Sequence, residues 1–122
     1  MSHMFSDSQV IAIKGLENFN TSRVTDMSNM FGSKVTSLDL SSFDTSNVTS
    51  MAYMFNHCEN LKTIYVSDKF ITDKVVNSYN MFYDSAKLVG GAGTVYNSSY
   101  TDKTYAIIDG GTSSPGYFTL KS

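Results

Sequence analysis

The sequence has a single cysteine, Cys58, so no disulfide bond can form within the chain. This excludes the small secreted domains that depend on several disulfides for their stability. Long hydrophobic runs are also missing: a stretch such as residues 10–13 is far shorter than the roughly 20 residues of a transmembrane helix. The sequence contains no recognisable signal peptide either. We therefore expect no membrane insertion of this part of the protein.

Charged residues are scarce. Asp, Glu, Lys and Arg make up 16% of the chain, and 9 basic against 11 acidic residues give a formal net charge of -2. Neither sign forms a long run, which argues against nucleic acid or an anionic membrane surface as the main partner. Ser, Thr, Asn and Tyr are abundant instead, so the surface is predicted to be neutral and rich in hydroxyl groups.

Histidine is nearly absent, since only His3 and His57 occur. His3 lies in residues 1–4, which have the composition of an expression-tag remnant, so the chain is expected to be a piece of a longer protein. His57 precedes Cys58, and a Cys–His pair can provide a thiol nucleophile. Adjacent residues rarely direct their side chains at each other, however, and the repeat described below predicts that Cys58 is buried in a turn.

One segment of the sequence is written more than once. Residues 43–55 (Phe-Asp-Thr-Ser-Asn-Val-Thr-Ser-Met-Ala-Tyr-Met-Phe) repeat residues 19–31 with a shift of 24 residues, and residues 70–82 are a more divergent copy shifted by 27. A tandem unit of this length is typical of a solenoid, in which each unit stacks on its neighbours. The repeat therefore predicts stacked layers.

Each unit is predicted to begin with a short strand. Residues 37–41 and 63–67 both alternate between polar and apolar side chains, which is the period of a strand with one buried face. Their apolar residues are expected to face the core. The outward residues, which we call the outward strand row, are Ser37, Asp39 and Ser41 in the first strand and Thr63, Tyr65 and Ser67 in the second.

A short helix is predicted after each strand. Residues 48–55 carry Val, Met, Met and Phe at the spacing of one helical face. The hydroxyl of Thr45 or Ser46 is suited to cap the helix N-terminus. A helix of roughly two turns is not stable alone in water, so packing of its Met and Phe side chains onto the strands must stabilise it. Parallel strands would then line one face of the stack and helices the other.

Oxygen-bearing side chains near this helix start raise the alternative of a calcium site. Asp39, Asp44 and Asn47 could supply ligands, but Asp44 and Asn47 also suit the free amides of a helix start. Asn20 and Arg23 stand at the equivalent places of the first copy, and an arginine disfavours a cation site. We expect no metal, no cofactor and no enzymatic activity.

Residues 38–51, Met54, Phe55 and residues 58–61 resemble the BspA-type leucine-rich repeat family of bacterial surface proteins. The pattern Phe-x-Thr-Ser-x-Val-Thr-x-Met-x-x-Met-Phe carries the resemblance, which extends over about residues 11–90. It implies an α/β repeat fold: a short leucine-rich-repeat solenoid of parallel strands and short helices with a β-rich C-terminal cap. It also implies a location outside a bacterial cell or on its surface, with a role in adhesion or ligand binding.

The predicted organisation has three parts. After the tag remnant of residues 1–4, residues 5–90 are expected to form the solenoid with about three repeats, and residues 91–122 the cap. Strands are expected in the cap at residues 105–108 and 117–120, with a turn at residues 110–116.

Two glycines mark the predicted junction with the cap. Gly91 and Gly93 fall where the repeat register calls for inward apolar residues. Because glycine permits close approach, another backbone or a large aromatic ring is predicted to lie against them. The aromatic residues that follow are expected to cover the end of the stack.

The outward strand row is the predicted partner-binding surface. Tyr65 is its large exposed aromatic residue, and tyrosines are frequent anchors at interfaces. The partner is expected to be a host or bacterial surface protein or a glycan, bound by a monomer. The alternative is a structural spacer, which holds another domain of a larger surface protein away from the cell wall and has no ligand of its own.

Overall fold

The structure of the chain, a computed structural model, describes residues 21–28, 31, 36–56 and 58–121. The predicted tag remnant at residues 1–4 and the short hydrophobic stretch at residues 10–13 lie outside this part of the chain. His57 lies outside it as well.

Three short strands form a parallel sheet in the order β1, β2, β3. They are β1 at Ser37–Leu40, β2 at Thr63–Val66 and β3 at Phe118–Leu120. Every second residue of β1 and β2 is buried, because successive side chains of a strand point to opposite faces. The strands predicted at residues 37–41 and 63–67 are thus confirmed in position and in the face that they bury.

The register aligns equivalent residues across the sheet. Leu38 lies beside Ile64, and Ile64 lies beside Phe118, so that these three side chains form one inward row. Neighbouring parallel strands need a crossover connection between them. The repeated segment supplies the connection from β1 to β2.

The repeated segment forms consecutive turns. Its amides donate to carbonyls of the next copy, as from Met51 N to Asn77 O at 2.8 Å and from Phe55 N to Met81 O at 2.8 Å. An α-helix would use the same amides for carbonyls four residues earlier in the chain, so the two patterns exclude each other. Tyr53 also has a φ of 60°, a value that interrupts a right-handed helix.

The predicted α/β leucine-rich-repeat solenoid with short helices is therefore wrong. The described residues contain no α-helix, and their helical elements are two 3₁₀ turns at Lys103–Tyr105 and Gly111–Ser113. They form a small, mostly sheet-like domain around a three-stranded sheet. The apolar spacing misled the prediction, since turns closed by bonds such as Met54 N to Met51 O at 3.1 Å also repeat every three residues.

A column of aromatic rings runs through the core. The Phe31 ring stacks on Phe55 with centroids 5.5 Å apart, and Phe55 stacks on Phe82 at 5.4 Å. These phenylalanines are equivalent residues of the three copies, so the stacking follows from the repeat. Tyr117 closes the column with its ring edge-on to Phe82 at 4.9 Å. All four rings are buried.

Strand β3 joins the sheet from a distant part of the chain. Phe118 takes an inward position that the repeat register predicted for Gly91 or Gly93. Both glycines are exposed, so the predicted inward position is wrong. The predicted close approach of another backbone occurs at Gly91, where an added Cβ would lie 3.4 Å from Thr119 Cα, but not at Gly93, which has nothing within 4 Å. The tightest approach is at Gly90, where an added Cβ would lie 2.1 Å from the carbonyl oxygen of Gly116.

One of the two strands predicted near the C-terminus is present, as β3. The other predicted strand, at residues 105–108, is absent. Ile108 makes an isolated bridge to Phe118 of β3 instead. Asp102 accounts for the difference. Its carboxylate accepts a hydrogen bond from Thr104 N at 2.9 Å and caps the 3₁₀ turn at Lys103–Tyr105, which diverts the chain from an extended course.

Candidate functional site

The sheet brings residues of the outward strand row side by side. Ser37 lies beside Thr63, and Asp39 lies beside Tyr65, which has Thr119 of β3 on its other side. Tyr65 is 37% exposed. Its ring is therefore a large, partly apolar surface that the sheet presents to solvent. The remaining residues of the row, Ser41 and Ser67, follow directly after β1 and β2.

Asp39 is held by hydrogen bonds on both carboxylate oxygens. Oδ1 accepts from the amide of Ser41 at 3.0 Å and from its hydroxyl at 2.6 Å, and Oδ2 accepts from Nζ of Lys121 at 2.5 Å. Partial burial by itself would raise the pKa of Asp39, but the hydrogen bonds from Lys121 and Ser41 outweigh it and lower the pKa below the usual value. The carboxylate is thus ionised and has partners within the chain.

Lys121 belongs to this surface, although sequence reasoning did not find it. The Lys121 amide donates to the carbonyl of Val66 at 3.0 Å, which holds the residue directly after β3 beside the end of β2. Its ammonium group lies 5.9 Å from the centroid of the Tyr65 ring. Asp39 and Lys121 are 82 positions apart in the chain, so only the pairing of β3 with β2 could have revealed the contact.

Two residues of the outward strand row shape local turns. The Asp39 carboxylate accepts from the Ser41 amide, as described, and the Ser67 hydroxyl accepts from the Lys69 amide at 3.2 Å. Side chains that accept a bond from the amide two residues later are typical of turns. Turn geometry therefore accounts for Asp39 and Ser67 without any bound partner.

The residues considered for calcium serve as links within and between copies. Asp44 Oδ1 accepts from the amide of Ser46 at 3.0 Å. Asn47 Nδ2 donates to the carbonyl of Ser22 at 2.6 Å, and Asn47 Oδ1 accepts from Lys74 Nζ at 3.2 Å. An ammonium group bound to Asn47 is incompatible with a cation at the same oxygen. Within the described ranges, no group of three or more His, Cys, Asp or Glu could hold a metal ion.

Thr45, predicted as a helix cap, links two copies instead. Its Oγ1 donates to the carbonyl of Ile71 at 2.7 Å and accepts from the Ile71 amide at 2.7 Å. Thr21, the equivalent residue of the first copy, makes the same two bonds with the backbone of Asp44, at 3.1 and 2.8 Å. Both threonines are 1% exposed. These hydroxyls are part of the framework that positions the sheet.

Cys58 is fully buried, and its Sγ lies 3.9 Å from the carbonyl oxygen of Phe31. The predicted burial of Cys58 is confirmed. Burial raises the pKa of its thiol to about 12, so the reactive thiolate form is disfavoured at neutral pH. His57, the other residue of the Cys–His pair, lies outside the described residues.

A shallow cavity of about 200 Å³ lies between two C-terminal loops. It is smaller than the roughly 300–1,000 Å³ of most ligand pockets. Its lining consists mainly of small residues and backbone. The lining residues are Ala92, Gly93, Thr94, Gly111, Thr112 and Pro115.

Asp109 fixes the loops around this cavity. Its Oδ2 accepts from the amides of Ala92 and Thr94 at 2.9 and 3.0 Å, and its Oδ1 accepts from the Thr94 hydroxyl at 2.7 Å and the Gly111 amide at 2.9 Å. Burial opposes ionisation, but these hydrogen bonds outweigh it and lower the pKa of Asp109 to about 2. The carboxylate thus organises the loops, and its acceptor sites are already used.

In the described part of the chain, no helix has the length and apolar character needed to cross a bilayer.

Comparisons with known proteins identify a family but no ligand. Neither the curated proteins nor the solved structures include a match. Residues 1–113 match the model of a family described as Mycoplasma protein of unknown function, DUF285. Nothing in these comparisons ties the chain to BspA-type repeats. Because the match spans most of the sequence, the chain belongs to the DUF285 family.

Proposed function

We propose that this domain is a non-catalytic binding module that contacts a surface protein or a glycan through the outward strand row. The observation that carries the proposal is the position of Tyr65, 37% exposed on the middle strand of the sheet between Asp39 and Thr119. Tyrosine often dominates binding energy, because its ring buries a large area with few rotatable bonds. We place the module outside a bacterial cell, on its surface or released from it.

The surroundings of Tyr65 suit a flat contact. Several residues beside and along the strand are small and polar, among them Ser37, Thr63 and Thr119, while the flexible Lys121 side chain lies over the ring. Small side chains let a partner approach the sheet closely. The tyrosine ring can then stack on the apolar face of a sugar or pack between side chains of a protein, with its hydroxyl still able to form a hydrogen bond.

A structural spacer is the second candidate, and the state of Asp39 favours it. Both carboxylate oxygens of Asp39 have partners within the chain, so this residue already has a structural role. The buried hydroxyls of Thr21 and Thr45 tie successive copies together, as expected of a stiff body. A spacer would bind nothing through the outward strand row, whereas a binding module would depend on it.

The test compares Tyr65→Ala with Tyr79→Ala. Tyr79 is 63% exposed and lies in a turn outside the sheet, so the control removes the same group from a different surface. The wild-type domain and both variants are applied to a printed glycan array and to immobilised extracellular matrix proteins. For a ligand that the wild type binds, we expect Tyr65→Ala to weaken affinity at least about tenfold and Tyr79→Ala to leave it unchanged. Circular dichroism verifies that the variants are folded.

Asp39→Ala provides a second variant of the same row. Binding that depends on Tyr65 should also weaken in Asp39→Ala, which removes the neighbouring carboxylate. Equal affinities of wild type, Tyr65→Ala and Asp39→Ala for a captured ligand would show that the row is not the site. Failure of the wild type to bind any glycan or matrix protein on the two arrays would favour the spacer.

A further inference from the structure

The outward strand row already holds a cation. Nζ of Lys121 contacts Asp39 Oδ2 at 2.5 Å and lies 5.9 Å from the centroid of the Tyr65 ring. A carboxylate beside an aromatic ring is well suited to an ammonium group, because the carboxylate and the negative ring face attract the same positive charge. The folded chain thus places its own ammonium where these two groups converge.

We propose that Asp39 and Tyr65 form a site for the primary ammonium group of a lysine side chain on a partner protein, and that Lys121 occupies this site when the partner is absent. The inference rests on the proposed binding function of the outward strand row and specifies the chemical group that the row accepts. Lys121 then acts as a built-in competitor.

Exchange of the two ammonium groups requires little rearrangement. The side chains of Lys121 and Asp39 are 48% and 44% exposed, and ion pairs at such exposure are weak because water and salt screen them. The Lys121 backbone stays attached to Val66 through its amide. Only the flexible side chain has to rotate away, so β3 remains paired with β2 throughout.

The geometry favours lysine over arginine. Asp39 Oδ1 is held by the amide and the hydroxyl of Ser41, which leaves Oδ2 directed toward the incoming cation. A guanidinium group binds a carboxylate most strongly through both oxygens at once, whereas an ammonium group acts as a compact charge and needs only one. The ring of Tyr65 then supplies the second contact to the ammonium.

The test uses a tetralysine peptide with blocked ends and measures its affinity by titration calorimetry. Lys121→Met empties the site, and Lys87→Met is the matched control, since Lys87 is exposed and its loss changes the net charge equally. We expect Lys121→Met to bind tetralysine roughly two- to sixfold more tightly than wild type, because a weak internal ion pair lowers the competent fraction by no more than about that factor. Lys87→Met should not gain affinity. The increase in affinity that Lys121→Met produces should be smaller for a tetraarginine peptide than for tetralysine.

A double variant identifies the carboxylate. Adding Asp39→Asn to Lys121→Met keeps an acceptor for Ser41 and removes the charge, so the gain in tetralysine affinity should disappear. Equal affinities of Lys121→Met and Lys87→Met, or a gain that survives Asp39→Asn, would overturn the inference. An equal gain for tetraarginine would overturn the preference for lysine. If the arrays capture the domain through Tyr65 but Lys121→Met does not bind tetralysine more tightly, this site is rejected and the proposed function stands. If Lys121→Met binds tetralysine more tightly but the arrays show no Tyr65-dependent capture, the site alone is supported.

Discussion

At the scale of single residues, several aspartates in the described part of the chain bind backbone amides close to them in sequence. Each of several carboxylates accepts a hydrogen bond from the amide two residues later, a geometry that stabilises turns. These hydrogen bonds stabilise the ionised carboxylates, and the pKa values of Asp39, Asp44, Asp102 and Asp109 are lowered. The pairs are Asp26 with Ser28, Asp39 with Ser41, Asp44 with Ser46, Asp102 with Thr104, and Asp109 with Gly111.

Asp109 gives the sharpest pH prediction, since its pKa in the folded chain is about 2 against about 3.9 in an unfolded chain. A lowered pKa contributes stability that is present above the unfolded value and is lost as the pH falls through the folded value. We therefore expect the thermal midpoint to drop between about pH 5 and pH 2. Circular dichroism melting curves across this range provide the measurement.

Asp109→Asn should destabilise the domain at pH 7 by about 1–3 kcal/mol, because amide donors lose their charged acceptor. It should also flatten the fall in midpoint at acid pH. Asp73→Asn is the control, since Asp73 is exposed. If Asp109→Asn retained the full wild-type pH dependence, Asp109 could not be the group responsible.

At the scale of elements, the copies are joined by side chains as well as by backbone. The hydroxyl of Thr45 both donates to and accepts from the backbone of Ile71. Thr49 also bonds to the preceding copy, through Thr25 O at 3.2 Å, but it is exposed. Because water can replace a hydrogen bond at an exposed site, the two threonines should differ strongly in their effect on stability.

Thr45→Val should lower the free energy of unfolding by about 1–3 kcal/mol, because it leaves the partly buried amide and carbonyl of Ile71 without the Thr45 hydroxyl as their partner. Thr49→Val carries the same chemical change at the surface and should stay within about 0.5 kcal/mol of wild type. Urea unfolding curves would measure both. Equal effects of the two substitutions would contradict a special role for the buried threonines.

The strands could be predicted from sequence, whereas the connecting turns could not. Alternation in residues 37–41 and 63–67 follows directly from burial of one face of a strand. The apolar spacing of residues 48–55 fits a helix and a series of three-residue turns equally well. The choice depends on carbonyls such as Asn77 O and Met81 O, which lie in another copy and are invisible to a local pattern.

The candidate site divides in the same way. The neighbourhood of Asp39 and Tyr65 followed from two strands in the same register. Lys121 could not be found, because the repeat register assigned the third strand position to Gly91 and Gly93. The third strand lies at residues 118–120 instead, and Gly90 packs closely against Gly116 just before it, a contact between segments far apart in the chain.

At the scale of the whole molecule, one buried cluster connects the turns, the sheet and the C-terminal loops. Phe55 lies at its centre. Its ring stacks between Phe31 and Phe82 and meets Phe118 of β3 at 6.3 Å. Removal of this ring should therefore affect every layer at once.

Phe55→Ala should destabilise the domain by about 3–5 kcal/mol, the usual cost of removing a buried phenylalanine ring and leaving a cavity. The free energy of unfolding of natural domains is only about 5–15 kcal/mol in total, so this loss should bring the variant close to unfolding. Tyr79→Ala removes an exposed ring and should change stability by less than about 0.5 kcal/mol. Urea midpoints compare the two. A small effect of Phe55→Ala would mean that the aromatic column is not the centre of the fold.

The late position of β3 has a consequence for biosynthesis. Ile64 of β2 pairs with Phe118, so the sheet has a high contact order, which slows folding. A nascent chain that ends before residue 118 presents Ile64 and Val66 along an unpaired edge and exposes its aromatic column, which makes it vulnerable to aggregation. The ion pair between Asp39 and Lys121 forms only after this edge is paired. The internal competitor Lys121 therefore reaches the candidate contact surface only when the fold is complete.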